Sequence, residues 1–183
     1  MEQALQGGAK VIQYRDKSID KTLRLTQARE LKALCDEYSA CFIINDDLEL
    51  ALTIDADGLH VGKNDGDISK VRSQLGNKIL GVSCYNSLDL AQNAQKKGAD
   101  YVAFGRFYTS ITKPNAVPAD LSLIQQVKES TNLPIVAIGG ITLNNASPLI
   151  AAGVDSVAVI DGLFRQKDIK QTAEKFTELF TNS

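Results

Sequence analysis

The sequence predicts an α/β fold, and within that class a parallel (β/α)8 (TIM) barrel whose first β-strand is missing. Three observations lead there. Seven short apolar runs alternate with helical segments, the pattern of parallel strands joined by crossover helices. The runs are apolar throughout rather than at alternate positions, as in strands buried on both faces. Nearly every run also ends, on its C-terminal side, in residues suited to binding: Arg15 and Lys17, Asn45 and Asp46, Lys63 and Asp65, Ser83, the 105–114 loop, Gly139-Gly140 and Asp161-Gly162. An open doubly wound sheet would gather such residues at one switch point. A barrel builds its site from all of its strand-to-helix loops, and binds phosphate after strands seven and eight. The glycine-rich turns follow the last two runs, which makes the first visible run strand two.

Taken in order, residues 1–6 read as the end of a helix, stopped by Gly7-Gly8. Residues 11–15 read as a strand. Residues 20–38 carry Leu23, Ala28, Leu31 and Leu34 near helical spacing. Strands are expected at 41–44, 58–61, 79–83, 101–104, 135–138 and 157–160. Helices are expected at 48–54, 68–75, 87–97, 121–130, 145–152 and 168–180, with Gly98 and Gly153 closing two of them.

Length and composition narrow the function. A chain of 183 residues, 44% hydrophobic, fits one core and a single domain spanning 1–183. The net charge of -2 is spread over both signs. There is no basic block and no aromatic-basic interleaving, which argues against nucleic acid as a partner. The three cysteines, Cys35, Cys41 and Cys84, are odd in number and lack paired metal spacing, as in a reducing compartment. No run approaches the length of a membrane span, and Met1-Glu2-Gln3 opens no signal-peptide pattern. A cytoplasmic protein without a membrane partner is expected. A homo-oligomer is compatible with the sequence, which does not fix the assembly.

The candidate site residues have a plain reading and a chemical one. Gln13, Arg15 and Lys17 fall on one face of an extended chain. They are either a solvated strand end, or an amide for a heterocycle edge with two cations for an anionic leaving group. In Asn45-Asp46-Asp47, one aspartate suits the cap of the following helix. Asp46 also suits Mg²⁺, with Asp65 after the next strand as a second carboxylate. Mg²⁺ commonly takes one or two carboxylates and completes its shell with water and substrate phosphate. His60, the single histidine, lies inside a strand and reads as packed. Ser83 is a turn hydroxyl or a ligand donor. Gly139-Gly140 makes a tight turn or brings backbone N–H groups close to a phosphate. The segment Gly105-Arg106-Phe107-Tyr108-Thr109-Ser110-Ile111-Thr112-Lys113-Pro114 offers hydroxyls and cations, which is what a phosphate or pyrophosphate needs. No Ser-His-Asp arrangement, Cys/His metal cluster or Walker loop is present. The residues suit chemistry on a diphosphate with Mg²⁺, where positioning and charge neutralisation supply most of the catalysis.

The ordered set of motifs resembles the thiamine-phosphate synthase family. The matching stretches are Gln13-Tyr14-Arg15-Asp16-Lys17, Ile44-Asn45-Asp46-Asp47, Ala56-Asp57-Gly58-Leu59-His60-Val61-Gly62, Gly81-Val82-Ser83, Gly98-Ala99-Asp100-Tyr101, Ser110-Ile111-Thr112-Lys113-Pro114 and Val136-Ala137-Ile138-Gly139-Gly140-Ile141. The resemblance covers essentially the whole chain. It implies coupling of 4-amino-2-methyl-5-hydroxymethylpyrimidine diphosphate to 4-methyl-5-(2-phosphoethyl)thiazole, with release of pyrophosphate and thiamine phosphate by a dissociative path. It implies that Gln13 holds the aminopyrimidine, with Tyr14 and Asp16 in the same binding stretch. Arg15, Lys17, Asn45 and Lys113 would bind the diphosphate, with Ser83 nearby. Asp46 and Asp65 would carry Mg²⁺, the implied cofactor. Ser110, Ile111, Thr112, Gly140, Ile160 and Asp161 would surround the thiazole phosphate.

Three departures from the family pattern stand out. Lys63 occupies a position where glutamine is usual, and Asp161 one where serine is common. The Asp161 carboxylate would repel a phosphate, so its backbone N–H is expected to bind while its side chain turns away. The missing first strand makes the chain N-terminally truncated relative to the family, and adding such a strand is expected to raise stability. Two other functions fit the same residues: a thiazole tautomerase on the same barrel, or a non-catalytic barrel that binds thiamine precursors. The full set of diphosphate-binding cations and both carboxylates argues against the tautomerase, which has no diphosphate to ionise.

Overall fold

Each apolar run becomes a strand of one parallel sheet. The computed structural model describes residues 1–63, 65–108 and 119–181. Its strands are β1 (Val11–Tyr14), β2 (Cys41–Asn45), β3 (Gly58–Val61), β4 (Ile79–Tyr85), β5 (Tyr101–Phe104), β6 (Ile135–Ile138) and β7 (Ser156–Ala158). They lie in sequence order, and every neighbouring pair is parallel. Among the described residues β1 and β7 share no ladder. The architecture is therefore a curled α/β half-barrel of seven parallel strands, compatible with the (β/α)8 barrel lacking its first strand that the sequence predicts. Strand number and order are as the sequence predicts.

The helices are α1 (Glu2–Gln6), α2 (Lys21–Glu37), α3 (Leu48–Thr53), α4 (Ile68–Leu75), α5 (Leu88–Lys96), α6 (Leu121–Ser130), α7 (Ser147–Ala151), α8 (Asp161–Phe164) and α9 (Ile169–Thr181). Six of them begin with an acceptor side chain, on Asp20, Asp47, Asp67, Ser87, Asp120 or Asp168, taking a backbone N–H of the first turn. Such a cap satisfies one of the donors a helix start leaves orphaned. No helix among the described residues is long and apolar enough to cross a membrane. The sequence expectation omits α8, whose four residues carry no periodicity to detect. It also extends the last strand to Ile160, which instead sits at the N-cap of α8.

Strand register fixes which side chains share a face. Ile12 aligns with Phe42, Tyr14 with Ile44, Leu59 with Ile44 and with Leu80, Val61 with Val82, and Phe104 with Ala137. This set faces the helices and forms the main core, in which Phe42, Leu59, Leu80, Val102, Phe104 and Ile135 are fully buried. The opposite face carries Gln13, Ile43, Asn45, Gly58, His60, Gly81, Ser83, Tyr101 and Ala103. It is closed in mid-sheet, where Ile43 is 1% exposed, and open at the edges, where Val11 is 55% and Ile138 37% exposed.

The N-terminal ends of the strands are latched by aspartates. Asp57, Asp100 and Asp155 immediately precede β3, β5 and β7. Their carboxylates accept from the backbone N–H of Phe42, Leu80 and Ile135, at 2.7, 2.7 and 2.8 Å. Each aspartate's own backbone N–H in turn donates to the carbonyl of the same partner residue. The first and last helices also meet: Ala4 of α1 and Ala173 of α9 are buried together with Leu163. A Cβ on Gly7 would lie 2.4 Å from the Lys170 carbonyl oxygen, so that approach requires glycine.

Candidate functional site

The C-terminal ends of β1, β2 and β3 bring the predicted charged residues together. The Lys17 ammonium, just beyond β1, pairs with the carboxylate of Asp46, just beyond β2. Of the two aspartates that follow β2, Asp47 is the helix cap, accepting from Leu50 N–H at 3.0 Å. It also pairs with Arg24 of α2. Asp46 is thereby left for the strand-end cluster. It sits in the left-handed region at φ 65, which non-glycine residues adopt at a cost. Its N–H is tied to the His60 carbonyl at 2.9 Å. Asn45 aims its amide nitrogen at the same carbonyl at 3.5 Å, while its Oδ1 is buried with no partner among the described residues. A buried acceptor without a partner is costly, and a donor-bearing ligand would relieve it. Asp65, in the loop after β3, accepts from Gly62 N–H at 2.7 Å.

His60 connects this cluster to the next strands. It is 5% exposed. Its Nδ1 lies 2.8 Å from the Tyr101 hydroxyl and its Nε2 lies 2.8 Å from Ser83 Oγ. Burial pushes the imidazole down to about 4, against a weaker upward pull from Asp65, so the ring is neutral at physiological pH. Burial likewise raises the Tyr101 phenol and holds it protonated. The histidine is packed, as the sequence suggests, but it also positions a predicted site hydroxyl. Neither that link nor Tyr101 itself was foreseen. The available signal was Gly81 in mid-strand, register-paired with Tyr101: a glycine there makes room for a neighbour. The thiols of Cys35 and Cys84 are pushed up to about 11 and about 12 by burial, which fits a structural role.

Other predicted residues are placed apart or lie on the remaining loops. Gln13 and Arg15 are exposed at the end of β1. Tyr14 faces α2, its hydroxyl donating to Gln27 at 2.8 Å and its ring 6.4 Å from that of Phe42. Asp16 closes a local turn onto Ser18 N–H at 2.7 Å. Lys63 N–H donates to the Tyr85 hydroxyl at 3.3 Å. After β6, Gly139 and Gly140 both have positive φ, and the Gly140 carbonyl accepts from Asn145 at 3.0 Å. The start of α8 packs on the chain just beyond this turn: a Cβ on Gly162 would lie 2.2 Å from the Ile141 carbonyl oxygen. Ile160 is 59% exposed. The Asp161 carboxylate pairs with Arg165 at 3.1 Å. Ser110, Ile111, Thr112 and Lys113 lie outside the described residues.

Two hard carboxylates, Asp46 and Asp65, thus follow adjacent strands paired at Asn45 and His60. Among the described residues no three His, Cys, Asp or Glu side chains cluster as a metal site. Mg²⁺ needs no such cluster when substrate phosphate and water complete its shell, so this donor set fits the ion. A groove of about 800 Å³ lies elsewhere, on the helical outside, lined by residues of α7 and α9 such as Ile150 and Leu179.

Comparison with known proteins gives a consistent answer. A family model described as thiamine monophosphate synthase matches residues 1–163. A thiamine-phosphate synthase of Nitrosococcus oceani is 51% identical over 178 residues, covering 97% of this chain and 82% of the relative. One of Thiobacillus denitrificans is 51% identical, covering 98% and 86% respectively. Among solved structures, a thiamine phosphate pyrophosphorylase from Pyrococcus furiosus superposes with a TM-score of 0.90 at 34% identity, covering 99% of this chain and 87% of that one.

Proposed function

The chain belongs to the thiamine monophosphate synthase family, and from that membership we propose that it is a thiamine-phosphate synthase. It joins the hydroxymethylpyrimidine diphosphate to the thiazole phosphate and releases pyrophosphate and thiamine phosphate. The observation that carries the reading is the strand-end cluster of Lys17, Asp46 and Asn45. It sets a cation beside a carboxylate, with the Asn45 amide on the face that also presents Ser83.

The reaction asks little covalent chemistry of the protein. The bond from the pyrimidine methylene to the diphosphate oxygen breaks, and its electron pair leaves on that oxygen. The thiazole nitrogen then donates its lone pair to the methylene carbon. No proton has to move, so no general base is needed. What the protein supplies is positioning and stabilisation of the departing charge. Gln13 holds the aminopyrimidine edge. Arg15, Lys17, Asn45 and Lys113 bind the diphosphate, and Ser83 donates to it. Asp46 and Asp65 hold Mg²⁺, which neutralises phosphate charge when bound. Ser110, Ile111, Thr112, Gly140, Ile160 and Asp161 enclose the thiazole phosphate. The pairing of the Asp161 carboxylate with Arg165 supports binding through the backbone there.

The test is direct. Protein, Mg²⁺ and both substrates are mixed, and pyrophosphate and thiamine phosphate are quantified. Equal release of both supports the synthase. Binding of the substrates without turnover overturns it. Asp46→Ala and Lys113→Ala are expected to reduce the rate strongly, and wild-type rates in both would sink the site assignment.

A further inference from the structure

We propose that Tyr101 and His60 are positioning residues whose hydrogen bonds fix Ser83 as a donor toward the substrate face, with Gly81 providing the space. The inference rests on the synthase reading only for what Ser83 donates to, an oxygen of the diphosphate. The relay itself stands on the geometry.

His60, Ser83 and Tyr101 project from β3, β4 and β5 on the face opposite the main core. The imidazole lies between the two hydroxyls, 2.8 Å from each. A neutral imidazole has one donor and one acceptor nitrogen, so two arrangements exist. In the first, the Tyr101 hydroxyl donates to Nδ1 and Nε2–H donates to Ser83 Oγ. In the second, Nδ1–H donates to Tyr101 and Ser83 donates to Nε2. A phenol is far more acidic than an aliphatic alcohol, so it is the better donor to the imidazole lone pair. The first arrangement therefore wins. Ser83 Oγ then accepts from His60 and its own proton is free to point at an anion. In the second arrangement that proton would be spent on the histidine, and Ser83 would present lone pairs to a phosphate.

The sequence is shaped to hold this relay. Gly81 is the register partner of Tyr101. A Cβ on Gly81 would lie 2.1 Å from Tyr101 Cζ and 2.3 Å from its hydroxyl oxygen, so the phenol occupies space that only glycine leaves. The two rings are 5.5 Å apart at 32°. The His60 backbone is fixed as well, because its carbonyl accepts from Asp46 N–H.

His60 is the single histidine, so nitrogen-15 NMR of histidine-labelled protein reads its tautomer without assignment. At pH 7 the proton is expected on Nε2, with Nδ1 bare. Tyr101→Phe removes the donor but keeps the ring, and is expected to move proton population toward Nδ1. It should also lower kcat/KM for the pyrimidine diphosphate about tenfold, the weight of one net hydrogen bond, with KM for the thiazole phosphate unchanged. A proton on Nδ1 in the wild type overturns the relay, as does a tautomer unaffected by Tyr101→Phe. Equal losses for both substrates accompanied by a lower Tm would make Tyr101 merely structural. The tautomer measurement needs no turnover. An inactive protein with the expected tautomer would refute the synthase reading and leave the relay intact.

Discussion

Replacing Asp100 by alanine should destabilise the fold without touching catalysis. Asp100 lies just before β5, at the opposite end of the strands from the site. Its carboxylate accepts from Leu80 N–H at 2.7 Å and pairs with Arg72 of α4. Leu80 is fully buried, so in Asp100→Ala its N–H loses a partner that water cannot easily replace. An orphaned buried donor costs about 1–3 kcal/mol. The Arg72 pair, with side chains 22% and 52% exposed, adds at most about 1 kcal/mol. Arg72 also keeps its bonds to the carbonyls of Gly98 and Lys78. The expected loss is about 2–3 kcal/mol, or roughly 4–12 °C in Tm for a chain of this size. Asp100→Asn can still present an oxygen to Leu80 and should lose only about 1 kcal/mol. Urea and thermal unfolding of both variants would measure this, with steady-state rates taken well below Tm. A change under about 0.5 kcal/mol in Asp100→Ala, or an asparagine variant as unstable as the alanine one, would refute the latch.

Four further outcomes are expected. Gly81→Ala forces the Tyr101 ring aside and should cost about 1–3 kcal/mol by overpacking, read from the urea midpoint. The fold should weaken on acidification. The His60 pKa is about 4 in the native state against 6.5 for the free side chain, so the unfolded chain binds more protons between those values. Stability from this group is complete above about pH 6.5 and is lost as the pH falls toward 4, by about 3 kcal/mol. A denaturant series across that window should show the slope, and His60→Gln should remove it. Finally, chelating divalent ions should abolish turnover and added Mg²⁺ restore it. Asp46→Asn should lower kcat/KM roughly a hundredfold.

What the sequence revealed and what it hid follow from the range of the interactions involved. The strands were legible because each is a local apolar run. Phe42, Ile43 and Ile44 announce β2 without reference to any other segment. The caps were partly legible: one of Asp46 and Asp47 had to cap α3, but only the backbone, with Asp46 at φ 65, decides which. The relay was not legible. Its members are 23 and 41 residues apart, and they meet only because β3, β4 and β5 pair in one register. A shift of one residue would turn His60 into the helix-facing core and replace it with Leu59 or Val61.

The same residue type serves opposite purposes at the two ends of these strands, and register explains why. Asp57, Asp100 and Asp155 precede a strand, where the neighbouring strand offers a buried N–H that its own ladder leaves unpaired. A carboxylate there is consumed by the backbone. Asp46 and Asp65 follow a strand, where the chain has turned out of the ladder. Backbone demand is lighter at that end: among the described residues the Asp65 carboxylate answers Gly62, and Asp46 meets a lysine. Motifs such as Gly98-Ala99-Asp100-Tyr101 thus mix two functions within adjacent residues, Asp100 holding β4 and Tyr101 reaching across the opposite face to His60. Exchanging the two roles is not possible by mutation in place. An acid before a strand cannot reach the substrate end, and one after it meets N–H groups of its own loop or helix start, such as those of Gly62 and Leu50, rather than one of a neighbouring strand. The Asp100 and Asp46 variants should therefore separate cleanly, the first lowering Tm at unchanged rate and the second lowering rate at nearly unchanged Tm.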